Sequence, residues 1–403
     1  MPPLFRFLPA LEAGFGTFLE NCAMNPLSIR DKQAETPYRQ LVEEHGSPLL
    51  VLDCAVLRER YRALKAALPG VELFYAIKSC PAIPVLQTLQ AEGASFDIAT
   101  TGEIRLMKSI GADPQKSIHT HPIKREQDIR DALEFGCTTF VVDNLDELHK
   151  FRLYAGQARL LLRVSFRAKQ VNSDLSRKFG CAPRNIPVML AEAHKLGVEI
   201  IGLSFHVGSQ AMDSDAHVDA IRECRTYFGQ SELEGAGHLR ILDIGGGFPA
   251  DYTGRGFDLR EYCRPIMQAL ASYPAGVKII AEPGRVLSAP SISSVSTVVG
   301  RAERQNATWY YLDDGVYGSY SGQIFDHAHY PLTVFSDSKE TAMAVLAGPT
   351  CDSIDVVMEG GELPALQIGD IVVGSVMGAY TLATASEFNS LPIPKLVTLN
   401  LHE

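Results

Sequence analysis

From residue 71 to residue 284, short apolar runs of β type alternate with helical stretches. The runs number eight: 71–78, 95–100, 116–122, 138–143, 159–164, 199–208, 240–246 and 278–284. Eight strands separated by helices are what a (β/α)8 barrel needs. Similarity between the repeats is weak, so the constraint comes from the spacing of hydrophobicity and not from repeated residues. The first run reads Val-Glu-Leu-Phe-Tyr-Ala-Ile-Lys and ends on Lys78. A strand this apolar suits a barrel wall. A lysine at its end either snorkels into solvent or, with its pKa lowered by burial, condenses with an aldehyde.

In such barrels the reactive groups stand at the carboxyl ends of the strands. Those ends carry Lys78, Asp97, His119 and His121, Asp143, Arg163, His206 with Ser209, Gly245-Gly246-Gly247, and Glu282 with Arg285. Polar and glycine residues thus collect on one rim, as a phosphate-bearing ligand requires. After residue 286 the helical pattern stops. Runs at 291–300, 308–313, 342–347, 370–375 and 395–400 read as strands of an all-β domain. The expected organisation is α/β plus β, with an N-terminal extension at 1–29, a β-domain built from 30–53 and 287–403, and a barrel at 54–286. The segment 1–23 has one base and no compact apolar core, unlike a secretory leader. It is read as a dispensable extension ahead of Met24.

A formal charge of -10 argues against a nucleic-acid or anionic-membrane surface and suits a cationic ligand. The eight cysteines are scattered without paired spacing. They read as reduced thiols in a cytoplasmic protein, not as a disulfide framework. No run of about 18 apolar residues occurs, so no transmembrane helix is expected.

The glycines at 245–247 would let backbone N–H groups face a phosphate, although the same triplet also makes a tight turn. Arg285 adds a charged fork to that site, because strands seven and eight of a barrel are neighbours. Glu282 ends an otherwise apolar strand. A carboxylate there needs a cation, either Arg163 or a protonated pyridine nitrogen. His206 reads as a satisfied core group or as a flat surface for a cofactor ring. His119 and His121 alternate on one strand and so share a side, but no third ligand stands at useful spacing and no metal site is expected. In the β-domain, polar groups cluster at Asp313 to Tyr317, Phe325 to His327, Gly348 to Asp352 and Met377 to Thr381. Rigid loops of this kind position side chains.

Nine ordered motifs then point one way: F-Y-A-I-K, F-D-I-A-T-T-G-E-I, S-F-H-V-G-S, L-D-I-G-G-G-F-P, A-E-P-G-R, D-D-G-V-Y-G-S, D-H-A-H, G-P-T-C-D-S-I-D and M-G-A-Y-T. Over residues 48–389 the chain resembles the fold-type III pyridoxal-phosphate decarboxylases, most closely the ornithine/lysine decarboxylase branch. The resemblance implies an alanine-racemase-like fold, a pyridoxal 5'-phosphate cofactor and a homodimer with shared active sites. Lys78 would carry the cofactor, His206 would stack on its ring and Glu282 would hold its nitrogen. Ser209, Gly245, Gly246, Gly247, Arg285 and Tyr380 match the phosphate set, and Asp97, Glu103 and Arg163 match supporting residues. Cys351 and Asp352 would come from the other subunit. Cys351 would protonate Cα, and Asp326 with Asp352 would hold the distal ammonium of the substrate. Tyr317 and Phe388 would belong to the substrate pocket.

The implied reaction is decarboxylation of L-ornithine to putrescine, with L-lysine as a further substrate. A lysine-preferring enzyme or a diaminopimelate decarboxylase is the alternative, the latter disfavoured by the Asp326/Asp352 pair. A non-catalytic regulator like the antizyme inhibitors would be expected to lose some of Lys78, Glu282, Arg285 or Cys351, and all four are present. Two departures from the family pattern, Ser390-Leu391 after Phe388-Asn389 and Phe325 before Asp326, fall near the distal end of the pocket.

Overall fold

The computed structural model describes residues 26–166, 177–229, 239–304 and 307–401. Two strands come first, β1 (Leu27–Arg30) and β2 (Leu49–Asp53). Eight more follow: β3 (Val71–Ala76), β4 (Ser95–Ile98), β5 (Ser117–His119), β6 (Thr139–Val142), β7 (Arg159–Val164), β8 (Glu199–Phe205), β9 (Ile241–Asp243) and β10 (Lys278–Ala281). These eight pair in parallel and close, β10 against β3. All eight expected runs are therefore barrel strands, most of them shorter than the apolar run because the chain leaves the wall to build the rim.

The barrel is filled, not hollow. Phe74, Ile118, Val141, Leu161, Ile201 and Ile280 form one buried interior cluster, as inward side chains of adjacent strands must. Outside the wall, the helix Cys54–Ala67 shows why its sequence folds locally. Asp53 Oδ1 caps it by accepting from Ala55 N at 2.9 Å, and Leu57, Tyr61 and Leu64 recur at helical spacing on its buried face.

The second unit is a nine-stranded sheet made of β1, β2 and seven further strands. These are β11 (Ile292–Arg304), β12 (Ala307–Leu312), β13 (Leu332–Phe335), β14 (Ala342–Ala347), β15 (Val356–Leu363), β16 (Ile371–Gly374) and β17 (Lys395–Leu399). The amino-terminal strand β2 pairs with β11 and β17. Its Leu49 and Val51 pack with Val295, Phe335, Ile371, Val373 and Val397 in a separate core.

Three strands escaped the sequence reading. β13 and β15 are short or carry Gly360 and Gly361, which dilute the apolar pattern. β1 lies within the stretch expected as an extension. The boundary at residue 29 is therefore corrected: Leu27–Arg30 pairs in parallel with Leu332–Phe335 and extends the sheet. The segment 1–23 lies outside the described residues. Among the described residues no helix is long and apolar enough to cross a membrane.

Candidate active site

The carboxyl rim of the barrel opens into a cavity of about 340 Å³. Lys78, Arg163, His206, Ser209, Gly246, Gly247, Glu282 and Arg285 line it from the barrel side, and Asp326 and Tyr380 from the β-domain. Asp97 stands behind Lys78, and Gly245 begins the glycine turn. Tyr317, Cys351, Asp352 and Phe388 do not line this cavity.

Lys78 is not on the strand itself. β3 ends at Ala76 and a single 3-10 turn, Ile77–Ser79, swings the lysine over the rim. Its Nζ donates to Asp97 Oδ2 at 2.8 Å, and Thr120 Oγ1 donates to the other oxygen of the same carboxylate. The expected lowering of its pKa is corrected here. Burial works in that direction, but Asp97 and Glu282 outweigh it and hold the ammonium above its ordinary value. Lys78 therefore rests as an ion pair, and Asp97 is the group placed to take its proton.

His206 is a neutral ring, its pKa well below the usual value because of burial and then Arg163 and Lys78. Its Nδ1 accepts from Gly208 N at 3.0 Å, which leaves the proton on Nε2. Against it run the glycines. Gly245 and Gly247 have φ of 66° and 99°. A Cβ on Gly246 would stand 2.7 Å from Glu282 O and 3.1 Å from His206 Nε2. Side chains are excluded there, and the backbone forms the cradle.

Arg285 opens the turn Arg285–Ser288. Its Nη2 donates to Ser209 Oγ at 2.8 Å and pairs with Asp326 Oδ2 at 2.6 Å, while Nη1 donates to Tyr252 Oη at 2.9 Å. The guanidinium lies 4.8 Å from the Tyr380 ring centre. Its Nε is buried without a partner. A buried N–H beside a glycine cradle and a serine hydroxyl is the donor set of a phosphate site. With Lys78 for an aldehyde and Glu282 for a ring nitrogen, these residues fit pyridoxal 5'-phosphate.

The structure differs from the sequence reading at two further places. Asp326, assigned to a substrate ammonium, also serves as counter-ion to Arg285. His119 and His121 do not share a side, because β5 ends at His119: His119 stacks on Phe140 at 5.7 Å with neither ring nitrogen bonded, and His121 lines the cavity. Among the described residues no group of three metal-binding side chains occurs.

A second cluster lies in the β-domain. The Tyr317 and Phe388 rings stack at 4.3 Å, and Tyr317 Oη donates to Asp352 Oδ2. That bond keeps the Asp352 carboxyl below its ordinary range. Cys351 is exposed, and its Sγ and backbone N lie 3.3 and 3.2 Å from Asn389 Oδ1. Asn389 and Ser390 have φ of 55° and 58°. Ser390 thus holds a left-handed conformation that a glycine would take without strain. The sequence reading missed Tyr252, Phe179 and Thr384, which line the cavity or bind Arg285. They sit in loops whose sequence gives no periodicity to read. It also passed over Asp243, whose signal was a carboxylate inside the apolar run before the glycines.

Glu103 carries a pH dependence. Burial raises its carboxyl from 4.5 to about 7 despite a hydrogen bond from Ala99 N. A group whose folded pKa is raised binds its proton more tightly when folded, so its contribution falls as pH rises from 4.5 to about 7. Glu103→Gln should flatten the loss of thermal stability across that window. Melting curves at several pH values check this, and an unchanged slope would exclude Glu103 as the source.

The profile for the pyridoxal binding domain of pyridoxal-dependent decarboxylases matches residues 54–289. The lysine/ornithine decarboxylase of Selenomonas ruminantium is 32% identical over 367 residues, spanning 91% of this chain and 92% of the relative. Antizyme inhibitor 2 of Xenopus laevis is 36% identical over 352 residues, spanning 83% of this chain and 76% of the relative. Crystal structures of the Vibrio vulnificus lysine/ornithine decarboxylase with putrescine and with cadaverine superpose at a TM-score of 0.87, with 48% and 49% identity. They cover 92% of this chain and 99% and 97% of those chains.

Proposed function

Because the chain belongs to the pyridoxal-dependent decarboxylases, in the ornithine/lysine branch, and is an enzyme that decarboxylates basic amino acids, we propose that its preferred substrate is L-ornithine, with L-lysine as a second substrate. The observation that supports the reading is a carboxylate in the cavity wall, Asp326 beside Phe325, which also pairs with Arg285 Nη2 at 2.6 Å. A carboxylate in that wall favours a distal ammonium over the distal carboxylate of diaminopimelate. The Vibrio vulnificus relative was crystallised with both diamines, which supports a dual specificity.

When bound, pyridoxal 5'-phosphate supplies an electron sink for the pair left at Cα as carbon dioxide departs. The chain's own residues do the rest. Lys78 would hold the cofactor's aldehyde carbon, with Asp97 as its proton partner. Glu282 would face the ring nitrogen and neutral His206 the ring. Arg285, Ser209, Tyr380 and the backbone at Gly245, Gly246 and Gly247 would hold the phosphate. Arg163 supports Glu282 electrostatically.

Cys351 would return a proton to Cα, and Asp352, oriented by Tyr317 and flanked by Phe388, would share the distal ammonium with Asp326. Since these four do not line the cavity of their own chain, they would act on the site of a second subunit. Shared sites in a homodimer follow from that reading.

Ornithine and lysine differ by one methylene, worth about 1–3 kcal/mol in a pocket. The expected ratio of kcat/KM is therefore about 10- to 200-fold in favour of ornithine. Steady-state rates with each substrate test this, and a ratio favouring lysine would overturn the ornithine assignment. Asp326→Asn should raise KM for both substrates by about tenfold or more, the loss of one charged partner. Equal KM values in variant and wild type would remove Asp326 from the ammonium site.

A further inference from the structure

Glu282 shares the barrel mouth with a second carboxyl. Asp243 ends β9 beside β10, in register with Ile280, and Glu282 N donates to Gly245 O at 2.8 Å. Asp243 is wholly buried. Its Oδ1 accepts from Gly245 N at 2.9 Å, whereas its Oδ2, also buried, finds no donor. The side chain it meets is Glu282. An ionised Glu282 can only accept, so two facing carboxylates leave each other unsatisfied unless one keeps a proton.

Charge balance says which. Of the buried carboxyls at this rim, Asp97, Asp243 and Glu282 act on one another, and the cations acting on this group are Lys78 and Arg163. Asp97 has Lys78 at 2.8 Å. Glu282 feels both Lys78 and Arg163. For Asp243, burial, Glu282 and Asp97 each raise the pKa, and what opposes them is the hydrogen bond from Gly245 N and not a cation. Burial and Asp97 raise Glu282 as well, but Lys78 and Arg163 oppose them there, and a proton donated by Asp243 would further favour its ionised form.

We propose that Asp243 is a positioning residue that keeps its proton and donates it to Glu282, fixing that carboxylate in its ionised form and orientation toward the cofactor ring nitrogen. The inference rests on the reading that Glu282 holds that nitrogen. Asparagine matches a protonated aspartate in shape and retains an N–H donor. Alanine removes the donor and leaves Glu282 unsupported.

The test uses the holoenzyme, with pyridoxal 5'-phosphate affinity followed by absorbance titration after cofactor removal, together with infrared spectra. Asp243→Asn should bind within about threefold of wild type, and Asp243→Ala more weakly by about tenfold or more. The carbonyl stretch of a buried protonated carboxyl should shift with carboxyl-13C aspartate and vanish in Asp243→Asn. A shift with labelled glutamate instead, an asparagine variant as weak as the alanine variant, or an alanine variant matching wild type would overturn the proposal. Glu282→Gln separates the two readings. If it keeps wild-type affinity and absorbance, the Glu282 assignment fails and this inference with it. If it loses them while Asp243→Ala does not, only the role of Asp243 fails.

Discussion

Lys78→Ala should abolish turnover and, in the same preparation, the visible absorbance of the bound cofactor. The loss in kcat is expected to be about 10³-fold or more, some 4 kcal/mol of barrier. Lys78 is the amine that the 3-10 turn after β3 delivers to the cavity, and it faces Glu282 and the glycine cradle there. The fold should survive, because the lysine side chain lines the cavity and is not part of the packed core, and Thr120 still binds Asp97 once the lysine is gone. A modest fall in melting temperature with complete loss of activity is the expected pattern. Lys78→Arg supplies the charge-preserving comparison: it keeps a cation opposite Asp97 but not the nucleophile, and should be equally inactive.

Mixing two inactive variants should restore activity. Cys351→Ala removes the proposed proton donor and should leave little normal amine product, with protonation misdirected away from Cα. In a dimer of one Lys78→Ala and one Cys351→Ala subunit, one site joins an intact Lys78 to an intact Cys351 and the other has neither. Random exchange in equal amounts should therefore recover about a quarter of wild-type activity. The physical basis is that Lys78 lines the barrel cavity, whereas Cys351 is exposed in the β-domain beside Asn389. No recovery after verified exchange would place Cys351 and Lys78 in the same subunit's site, or remove Cys351 from the reaction.

What could be read in the chain follows from where its information is local. Barrel strands are written as apolar runs bounded by turn residues, so all eight appear in the sequence, and the groups at their ends appear with them. Pairing is not local. Nothing in Leu27 to Arg30 announces that this stretch will lie beside Leu332–Phe335, far along the chain, in the register Leu27↔Leu332. The site divides in the same manner. Lys78, His206, Glu282 and Arg285 were legible because each stands at the end of a strand of the same barrel. The field around them was not, since the raised pKa of Lys78 comes from Asp97 and Glu282 on other strands. Likewise Asp326 meets Arg285 only because the β-domain folds over the rim. Asp243 was hidden for the opposite reason: it belongs to a motif already explained by its glycines.

The measurement that tests the account most directly is amine-product analysis with ornithine, lysine, arginine and diaminopimelate offered together to the holoenzyme. The account predicts putrescine as the main product with a smaller yield of cadaverine, each matched by an equal amount of carbon dioxide. Formation of lysine from diaminopimelate, or no amine from any of the four, would contradict it.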